Sequence, residues 1–267
     1  MLVMTQPLSY IHPDAQIGED VVVSPFSYIA ADVKIGSGTW IGPNVTIFDG
    51  ARIGANCKIF PGAVIAAEPQ DLKFNGEYTT VEIGDRTTIR ECVTINRGTV
   101  DQYTTKIGSD ALIMAYCHIA HDCLLGDHVI MANSVQMAGH VELGDYAFIG
   151  GTSAVHQFVK IGAHAMIAGG SLVRKDVPPF VKAAREPLSY AGVNSLGLRR
   201  RGFTSEEIYS IQDVYRYIYL RDLNTSDALQ AIVAELPQNE YVKSAVQFIE
   251  NSKRGIIRKG SGPISDD

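Results

Sequence analysis

Residues 29–65 read IAADVKIGSGTWIGPNVTIFDGARIGANCKIFPGAVI, and every sixth residue of this stretch is isoleucine. Two residues before each isoleucine stands a small or β-branched residue, such as Val33 or Thr39. Because the side chains of a strand alternate between its two faces, both positions face inward, and each hexad is predicted to form a short strand followed by a corner. The same aliphatic spacing extends over residues 11–65, 83–95 and 107–173.

This periodicity predicts a parallel β-helix in which three hexads form one triangular coil and the coils stack about 4.8 Å apart. Aliphatic and small side chains fill the interior, so a ligand must bind outside it. A glycine often follows the aliphatic residue, which predicts corner backbone angles that favour glycine. These glycines are Gly18, Gly36, Gly42, Gly54, Gly84, Gly108, Gly126, Gly144 and Gly162.

Two aperiodic polar segments, residues 66–82 and 96–106, interrupt the repeat and are predicted to loop out from the corners. After the proline-rich segment 174–188, helical patterns follow. Thr204 to Glu207 form a capping box that opens the first helix, a second helix is predicted from about residue 226 to 237, and a third from about 239 to 253. The predicted division is therefore a β-helix over residues 1–190, a small helical domain over 191–258 and a disordered tail over 259–267.

Composition excludes several classes of protein. The chain has 267 residues and a net charge of −6, which disfavours a general nucleic-acid binder because phosphate neutralisation requires an excess of Lys and Arg. The sequence contains neither a long apolar run nor a signal-peptide pattern, so no transmembrane segment and a cytoplasmic location are predicted. The four cysteines form no CxxC pair, and free thiols are expected.

The stretch AYCHIAHDC, residues 115–123, contains the most promising chemical groups. The repeat places Cys117 and Cys123 at inward positions, where they fill space rather than bind metal. His118 and His121 fall at outward or corner positions. They are therefore predicted to lie on the outer wall of the β-helix.

Residues one coil apart differ by 18 in number and are predicted to stack. One column of the outer wall then contains His121, Gly139 with His140, and Gln157 with His156. A histidine followed by Asp122 suggests a general base, although sequence leaves open whether that carboxylate reaches the ring, since neighbouring side chains diverge in an extended strand. The backbone N–H of Gly139 could stabilise a developing oxyanion. Because the column contains no Ser or Cys nucleophile, direct acyl transfer is predicted. The histidines outside the column, His12, His128 and His164, are interpreted as solvated surface residues.

Several stretches together resemble the UDP-N-acetylglucosamine acyltransferase family. They are AYCHIAHDC, QDLKFNGE (70–77), RECVTINRGTV (90–100), MAGHVELGD (137–145), GGTSAVHQF (150–158) and GVNSLGLRRRGF (192–203). The resemblance implies a left-handed β-helix and a homotrimer whose sites lie between subunits. It also implies transfer of a 3-hydroxyacyl group from acyl carrier protein to the glucosamine 3-hydroxyl of UDP-N-acetylglucosamine, the first step of lipid A biosynthesis, without a cofactor or a metal.

The resemblance also implies roles for individual residues. His121 matches the catalytic base, Asp122 the carboxylate that orients it, and Gly139 the oxyanion donor. Asn194, Arg200 and Arg201 match the segment that meets the uridine diphosphate, and Gly169 matches the position that limits acyl length, which implies an open groove for about 14 carbons or more. The remaining substrate-contacting positions are Gln70, Asp71, Lys73, His118, His140, His156 and Gln157.

The chain departs from the family pattern at three positions. Leu196 replaces a glutamate near the nucleotide, while Asn96 and Pro187 each replace a histidine, so the details of nucleotide contact differ. Basic residues gather near the C-terminus, among them Arg199, Lys253, Arg254 and Arg258, and we interpret them as a dock for acidic acyl carrier protein.

Four alternative functions compete with this one. A sister N-acyltransferase would carry an N-terminal uridine-binding domain, for which the hexads starting by residue 11 leave no room. An acetyl-coenzyme A transferase would not explain residues 70–77 or the helical tail. A β-helical carbonic anhydrase would bind zinc through histidines, here His118, His121 and His140, but that family spaces its paired histidines differently along the sequence. A purely structural trimer would not need the aligned column of His121, Gly139 and Gln157.

Overall fold

The computed structural model describes residues 4–5 and 8–260, with side chains described from residue 8 onward. These described residues form 29 strands and four helices. The strands of the first half are β1 Met4–Thr5, β2 Tyr10–Ile11, β3 Gln16–Ile17, β4 Val22–Val23, β5 Tyr28–Ile29, β6 Lys34–Ile35, β7 Trp40–Ile41, β8 Thr46–Ile47, β9 Ala51–Ile53, β10 Lys58–Ile59, β11 Val64–Ala67, β12 Thr80–Ile83, β13 Thr88–Ile89, β14 Thr94–Asn96 and β15 Thr104–Ile107.

The remaining strands are β16 Leu112–Ile113, β17 His118–Ile119, β18 Leu124–Leu125, β19 Ile130–Met131, β20 Gln136–Met137, β21 Glu142–Leu143, β22 Phe148–Ile149, β23 Ala154–Val155, β24 Lys160–Ile161, β25 Met166–Ile167, β26 Leu172–Val173, β27 Val181–Ala184, β28 Ser189–Val193 and β29 Arg258–Lys259. The helices are α1 Ser195–Arg200, α2 Ser205–Tyr219, α3 Thr225–Glu235 and α4 Glu240–Glu250.

Successive strands from β1 to β26 belong in turn to three sheets, A, B and C. Sheet A has twelve strands and begins with β1, sheet B has nine and begins with β2, and sheet C has eight and begins with β3. Among β1 to β26, neighbouring strands of one sheet are parallel and one coil apart, as where Ile119 pairs with Met137, 18 residues later. This arrangement is the predicted β-helix.

The inward positions form one continuous apolar core. Ile41, Ile59 and Ile95 are fully buried, as are the small or β-branched residues Val45 and Cys57. Burying one such isoleucine stabilises the folded chain by about 1.5–3 kcal/mol. The same hydrophobic contact repeated in every coil therefore fills the interior of the prism with apolar side chains and stabilises it.

The reason predicted for the repeated glycines is wrong. Gly36 and Gly126 do not have a positive φ; the left-handed residue of most corners comes three positions after the aliphatic residue and is usually not glycine, as at Asn44 with φ 58°. Gly36 is required by close approach instead, because a Cβ there would lie 2.5 Å from the backbone N of Ala55 in the next coil. The glycines allow neighbouring coils to stack.

Both interruptions leave the same edge of the prism. The first connects β11 to β12 as residues 68–79, and the second connects β14 to β15 as residues 97–103. Both are shorter than predicted because the flanking strands extend into the polar segments. Each loop passes from sheet B to sheet C, so both lie at the edge that we call the B–C corner.

The C-terminal part differs from the three predicted helices. The capping box of α2 is confirmed, since the side chain of Thr204 accepts a hydrogen bond from Glu207 N and the Glu207 side chain accepts one from Thr204 N. The proline-rich segment contains β27, which pairs with β28 as an antiparallel hairpin. Helix α1 was missed because it has only six residues, including a glycine.

The predicted tail boundary also differs from the structure. Lys259 lies in β29, which pairs with β28, so the ordered chain continues beyond residue 258. Residues 261–267 of the predicted tail lie outside the described residues. Within the described part of the chain, the four cysteines are free thiols, as expected, and no helix has the length and apolar character needed to cross a membrane.

Candidate active site

The predicted column of polar residues lies at the B–C corner. His121 and Asp122 follow β17, Gly139 and His140 follow β20, and Gln157 follows β23, so the same two corner positions recur in three successive coils. The N–H of His140 donates to the His121 carbonyl at 3.1 Å, which fixes the stacking register. The 18-residue spacing therefore predicted the geometry of this column correctly.

His121 and Asp122 are neighbours in sequence whose side chains nevertheless meet. The Nδ1 atom of His121 lies 2.8 Å from Oδ2 of Asp122. The contact forms because Asp122 adopts a left-handed backbone conformation with φ 60°, so the chain turns a corner between the two residues instead of staying extended. The carboxylate reaches the ring, which the sequence alone had left open.

The second loop holds the Asp122 carboxylate from the other side. Thr99 donates its backbone N–H to Oδ1 at 2.8 Å and its hydroxyl to Oδ2 at 2.7 Å, and the N–H of Gln102 lies 3.3 Å from Oδ1. Burial alone would raise the pKa of Asp122, but the hydrogen bonds from His121 and Thr99 outweigh it and lower the pKa to about 2. Asp122 is therefore ionised at neutral pH.

An ionised Asp122 determines the tautomer of His121. A carboxylate without a proton only accepts hydrogen bonds, so Nδ1 of His121 carries the proton that lies between them. In the neutral ring Nε2 is then an acceptor, which is the state a general base requires. Thr99 thus acts on His121 through Asp122, and sequence analysis missed it, although its loop interrupts the repeat beside the column.

His140 lies against the same pair of residues. Its ring is perpendicular to that of His121, with centroids 5.1 Å apart, and it stacks on Phe158 at 4.4 Å. Its Nδ1 atom lies 3.1 Å from the carboxylate of Asp101 in the second loop. Sequence analysis found His140 but missed Asp101 and Phe158, which orient its ring.

Gly139 lies directly beside the His121 ring. A Cβ at this position would lie 2.6 Å from Cε1 and 2.8 Å from Nε2 of His121, so a larger residue would displace the ring. Within residues 8–260 the N–H of Gly139 donates no hydrogen bond to another protein group. That donor is therefore available to a ligand next to the base.

His118, His156 and Gln157 complete the column. His118 projects outward from β17 with its Nδ1 atom 2.7 Å from the Thr94 hydroxyl, and burial followed by the charge of His121 lowers its pKa, which favours the neutral ring. His156 and Gln157 are exposed. Nδ1 of His156 lies 3.0 Å from a guanidinium nitrogen of Arg254.

The predicted residues of the first loop leave the same corner. Gln70 and Lys73 are exposed, and Asp71 is partly buried with Oδ1 accepting the N–H of Lys73 at 3.0 Å. Asn96, the last residue of β14, is buried and donates from Nδ2 to the Glu68 carbonyl, so it ties the end of that strand to the first loop. The described part of the chain shows no hydrogen bond between these loop residues and His121.

A second group of predicted residues lies at another corner, between sheets C and A. Arg201 donates to the carbonyl of Tyr146 at 3.1 Å, and its guanidinium lies over the Tyr146 ring. Asn194 is buried, caps α1 and donates from Nδ2 to the His164 carbonyl at 2.9 Å. Arg200 is exposed beside them. One chain therefore does not bring this group to His121.

His164 is not the solvated residue that was predicted. Its ring stacks on Tyr146 with centroids 4.9 Å apart, and burial followed by the nearby charge of Arg201 lowers its pKa to about 4. Leu196 and Pro187 are exposed, and Gly169 is exposed at the remaining corner, between sheets A and B. The predicted site residues of a single chain are thus distributed over all three corners.

Among residues 8–260, His121, Asp122 and His140 form the one group of three whose ligand atoms lie close enough together for a metal ion, within 4.8 Å. His118, which the carbonic anhydrase alternative would require as a zinc ligand, is not part of this group. Both oxygens of Asp122 already accept hydrogen bonds from the protein, and Nδ1 of His121 faces that carboxylate. This bonding pattern suits proton transfer better than metal binding.

A cavity of about 330 Å³ opens beside the column. Asp122, His140 and Phe158 contribute to its wall, as do Asp101 and Gln102 of the second loop. The C-terminal segment closes another part of it with Asn251, Lys253 and Arg254. The ionised Asp122 and two basic side chains, Lys253 and Arg254, therefore share one cavity.

Comparisons with known proteins identify the family of the chain. Residues 176–257 match the family Udp N-acetylglucosamine O-acyltransferase, domain 2, and residues 32–67 and 104–139 match the bacterial transferase hexapeptide family. A protein from Janthinobacterium sp. (strain Marseille), named acyl-(acyl-carrier-protein)–UDP-N-acetylglucosamine O-acyltransferase, is 48% identical over 96% of this chain and 99% of its own. A protein of the same name from Halorhodospira halophila is 46% identical over 94% of this chain and 98% of its own.

Solved structures give the same result. The UDP-N-acetylglucosamine acyltransferase from Bacteroides fragilis superimposes with a TM-score of 0.93 at 50% identity, covering 95% of this chain and 99% of its own. The corresponding enzyme from Francisella novicida gives a TM-score of 0.94 at 38% identity, covering 97% of this chain and 95% of its own. These matches confirm the predicted left-handed β-helix with a helical C-terminal domain.

Proposed function

The chain belongs to the family of acyl-(acyl-carrier-protein)–UDP-N-acetylglucosamine O-acyltransferases, and we propose that His121 is the general base of their reaction. The chain catalyses that reaction, which is the first step of lipid A biosynthesis. The observation that carries the proposal is the 2.8 Å contact between His121 Nδ1 and the ionised, buried Asp122. It leaves Nε2 of the ring as a proton acceptor.

In the proposed mechanism, Nε2 of His121 removes the proton from the sugar hydroxyl while the hydroxyl oxygen attacks the thioester carbonyl of the donor. The new C–O bond converts the carbonyl oxygen to an oxyanion, which the free N–H of Gly139 stabilises. The intermediate collapses when the C–S bond breaks, and protonated His121 returns its proton to the departing thiolate. Asp122 stabilises the imidazolium between these two steps.

Direct transfer is favoured over an acyl-enzyme intermediate. Cys117 and Cys123 are the cysteines nearest in sequence to His121, and both are buried in the core. Burial raises their pKa values to about 11 and about 12, so neither provides a thiolate at neutral pH. The mechanism needs neither a cofactor nor a metal.

We propose a homotrimer, in which the second subunit completes the site. His121 and Arg201 lie at different corners of one prism, so a single chain cannot present both to one ligand. Two neighbouring prisms that face each other would bring the B–C corner of one close to the C–A corner of the next. Arg200 and Arg201 would then bind the diphosphate while His121 acts on the sugar.

The finer substrate assignment follows the family resemblance. The proposed acceptor group is the glucosamine 3-hydroxyl and the proposed donor is a 3-hydroxyacyl group on acyl carrier protein, with Gln70, Asp71, Lys73 and Gln157 as further contacts. Gly169 has no side chain to shorten the acyl groove, which supports a group of about 14 carbons or more. Both substrates and the free cysteines are consistent with a cytoplasmic reaction.

The test is a mass-spectrometric assay of the purified protein with UDP-N-acetylglucosamine and 3-hydroxyacyl carrier proteins of graded length. An alkali-labile ester on the sugar is expected, with the highest rate for the long donors. In a parallel assay with the 3-amino analogue of the sugar nucleotide, a faster reaction that gives an alkali-stable amide would point instead to an amine acceptor. A clear preference for about 10 carbons would contradict the role of Gly169. No product with any donor would overturn the proposed mechanism.

A further inference from the structure

The C-terminal segment 252–257 lies against the candidate active site although it follows the last helix. Its residues Lys253 and Arg254 line the same cavity as Asp122 and His140. Arg254 also reaches the column directly, since its Nη2 atom lies 3.0 Å from Nδ1 of His156. This segment therefore forms part of the wall of the site.

A buried carboxylate fixes the segment in this place. Asp176 is only 1% exposed, and it accepts the N–H of Lys160 at 2.9 Å and the hydroxyl of Ser252 at 2.6 Å. Its backbone bonds the same segment twice, through Asp176 N to the Gly255 carbonyl at 3.2 Å and Ile257 N to the Asp176 carbonyl at 2.9 Å. Three hydrogen bonds thus hold residues 252–257 on the last turn of the coil, which predetermines where Arg254 points.

The charges of Lys253 and Arg254 are not neutralised by the protein. Within residues 8–260, neither side chain forms an ion pair with a carboxylate. The acidic residues of the cavity wall already have partners: Asp101 faces His140, Asp122 faces His121, Glu142 pairs with Lys160, and Asp176 binds Ser252. The cavity therefore offers two free positive charges to an anion.

We propose that Arg254, with Lys253 beside it, binds the phosphodiester of the donor, the group that joins the pantetheine arm to its carrier protein. This inference rests on the proposed function and adds a ligand contact to it. A guanidinium fork suits a phosphate ester. His156, which Arg254 touches, lies two coils from His121 along the column, roughly 10 Å at the coil spacing of a parallel sheet, which a pantetheine arm with its thioester at His121 can span.

The other phosphates in the reaction belong to the acceptor. Arg200 and Arg201 are the proposed partners of the uridine diphosphate, and they lie at a different corner of the prism from Arg254. The donor phosphate is therefore the better match for Arg254. The experiment must still distinguish the two sources, and it must distinguish a phosphate contact from attraction to the acidic surface of the carrier protein.

The test compares three donors with the same acyl group: acyl carrier protein, acyl-4′-phosphopantetheine and acyl-pantetheine, which lacks the phosphate. Each is assayed with the wild type, with Arg254→Gln and with Lys243→Gln. Lys243 is an exposed residue of α4 outside the cavity, so its substitution removes one positive charge from the same domain without touching the proposed contact. The Michaelis constants for donor and for UDP-N-acetylglucosamine are measured separately.

For Arg254→Gln we expect the Michaelis constant to rise about tenfold or more for both phosphate-bearing donors and to stay within about twofold for acyl-pantetheine and for the acceptor. Lys243→Gln should leave the Michaelis constant for acyl-4′-phosphopantetheine unchanged. A Michaelis constant that rises only for the whole carrier protein would overturn the phosphate contact in favour of a surface contact. A rise confined to UDP-N-acetylglucosamine would reassign Arg254 to the acceptor.

Equal kinetics of wild type and Arg254→Gln with every donor would overturn this inference while leaving the proposed function intact. An inactive wild type would overturn the proposed function itself. As a check on folding, Arg254→Lys keeps the charge but loses the fork, and it should fall between wild type and Arg254→Gln with the phosphate-bearing donors. An Arg254→Lys variant no better than Arg254→Gln would contradict recognition by charge.

Discussion

The imidazole of His121 and the carboxylate of Asp122 meet at 2.8 Å although the two residues are consecutive in the chain. In an extended strand their side chains would point to opposite faces. The left-handed backbone of Asp122 at the B–C corner turns both toward the same side. The β-helix thus brings an imidazole and a carboxylate together from two adjacent residues, and the second loop holds that carboxylate in place.

Replacing His121 with alanine should lower kcat by about 10²-fold or more, the usual contribution of a general base. The Michaelis constant for the donor should change little, because the ring acts on the sugar hydroxyl. Steady-state assays of the wild type and His121→Ala give both constants. His12→Ala is the matched control, since His12 lies in the first coil, between β2 and β3 and several coils away from His121. An equal loss in both variants would contradict a specific role for His121.

Replacing Thr99 with valine should lower kcat by about tenfold while the protein remains folded. Valine keeps the shape and the backbone N–H of residue 99 but loses the hydroxyl that donates to Asp122 at 2.7 Å. The ring of His121 is then held less firmly. Because Thr99 acts through Asp122, Thr99→Val should cost almost nothing when it is added to Asp122→Asn. Additive losses in the double variant would refute this coupling.

Replacing Gly139 with alanine should lower kcat by more than tenfold, because the new Cβ would lie 2.6 Å from Cε1 of His121 and push the ring away. The backbone N–H remains in this variant, so the loss reports ring displacement. The double variant His121→Ala, Gly139→Ala should be no less active than His121→Ala alone. If the second substitution lowers the residual rate further, Gly139 contributes more than space for the ring.

The stability of the protein should contain an acid-sensitive contribution from Asp122. Its pKa is lowered in the folded protein from 3.8 to about 2, so its ionised form stabilises the fold. This contribution, roughly 2 kcal/mol, is complete above about pH 4 and is lost as the pH falls from about 4 to about 2. Urea titrations at fixed protein concentration should therefore show a wild-type advantage over Asp122→Asn that shrinks across this window. A constant difference would contradict the lowered pKa.

Mixed trimers test whether two subunits share each site. His121→Ala chains and Arg201→Gln chains should each form weakly active trimers. In a trimer that contains both kinds of chain, about one site in three pairs an intact His121 with a neighbour's intact Arg201, so about a third of the wild-type activity should return in the mixed trimers. Two-tag purification isolates the mixed trimers. Activity no higher than that of the single variants would place both residues in one chain's site.

The sequence predicted the β-helix almost completely because each hexad repeats the same pattern of inward-facing aliphatic and small residues. An inward aliphatic residue every sixth position, seen from Ile11 to Val173, has few solutions other than a triangular coil. The 18-residue stacking that follows from it brought His121, Gly139 and Gln157 into one column. Periodicity does not reveal why the glycines are needed, since the close approach of Gly36 to Ala55 exists only between stacked coils.

The catalytic arrangement depended on tertiary structure. The contact between His121 and Asp122 needs a corner conformation that the residue types do not specify, and Thr99 reaches Asp122 only because its loop leaves the same edge of the prism, 23 residues away in sequence. Likewise, Asp176 and Ser252 are 76 residues apart, and only the return of the chain to the coil brings Arg254 to the cavity. Local periodicity determines which face of a strand a side chain occupies, whereas contacts between loops and termini depend on how the whole chain packs.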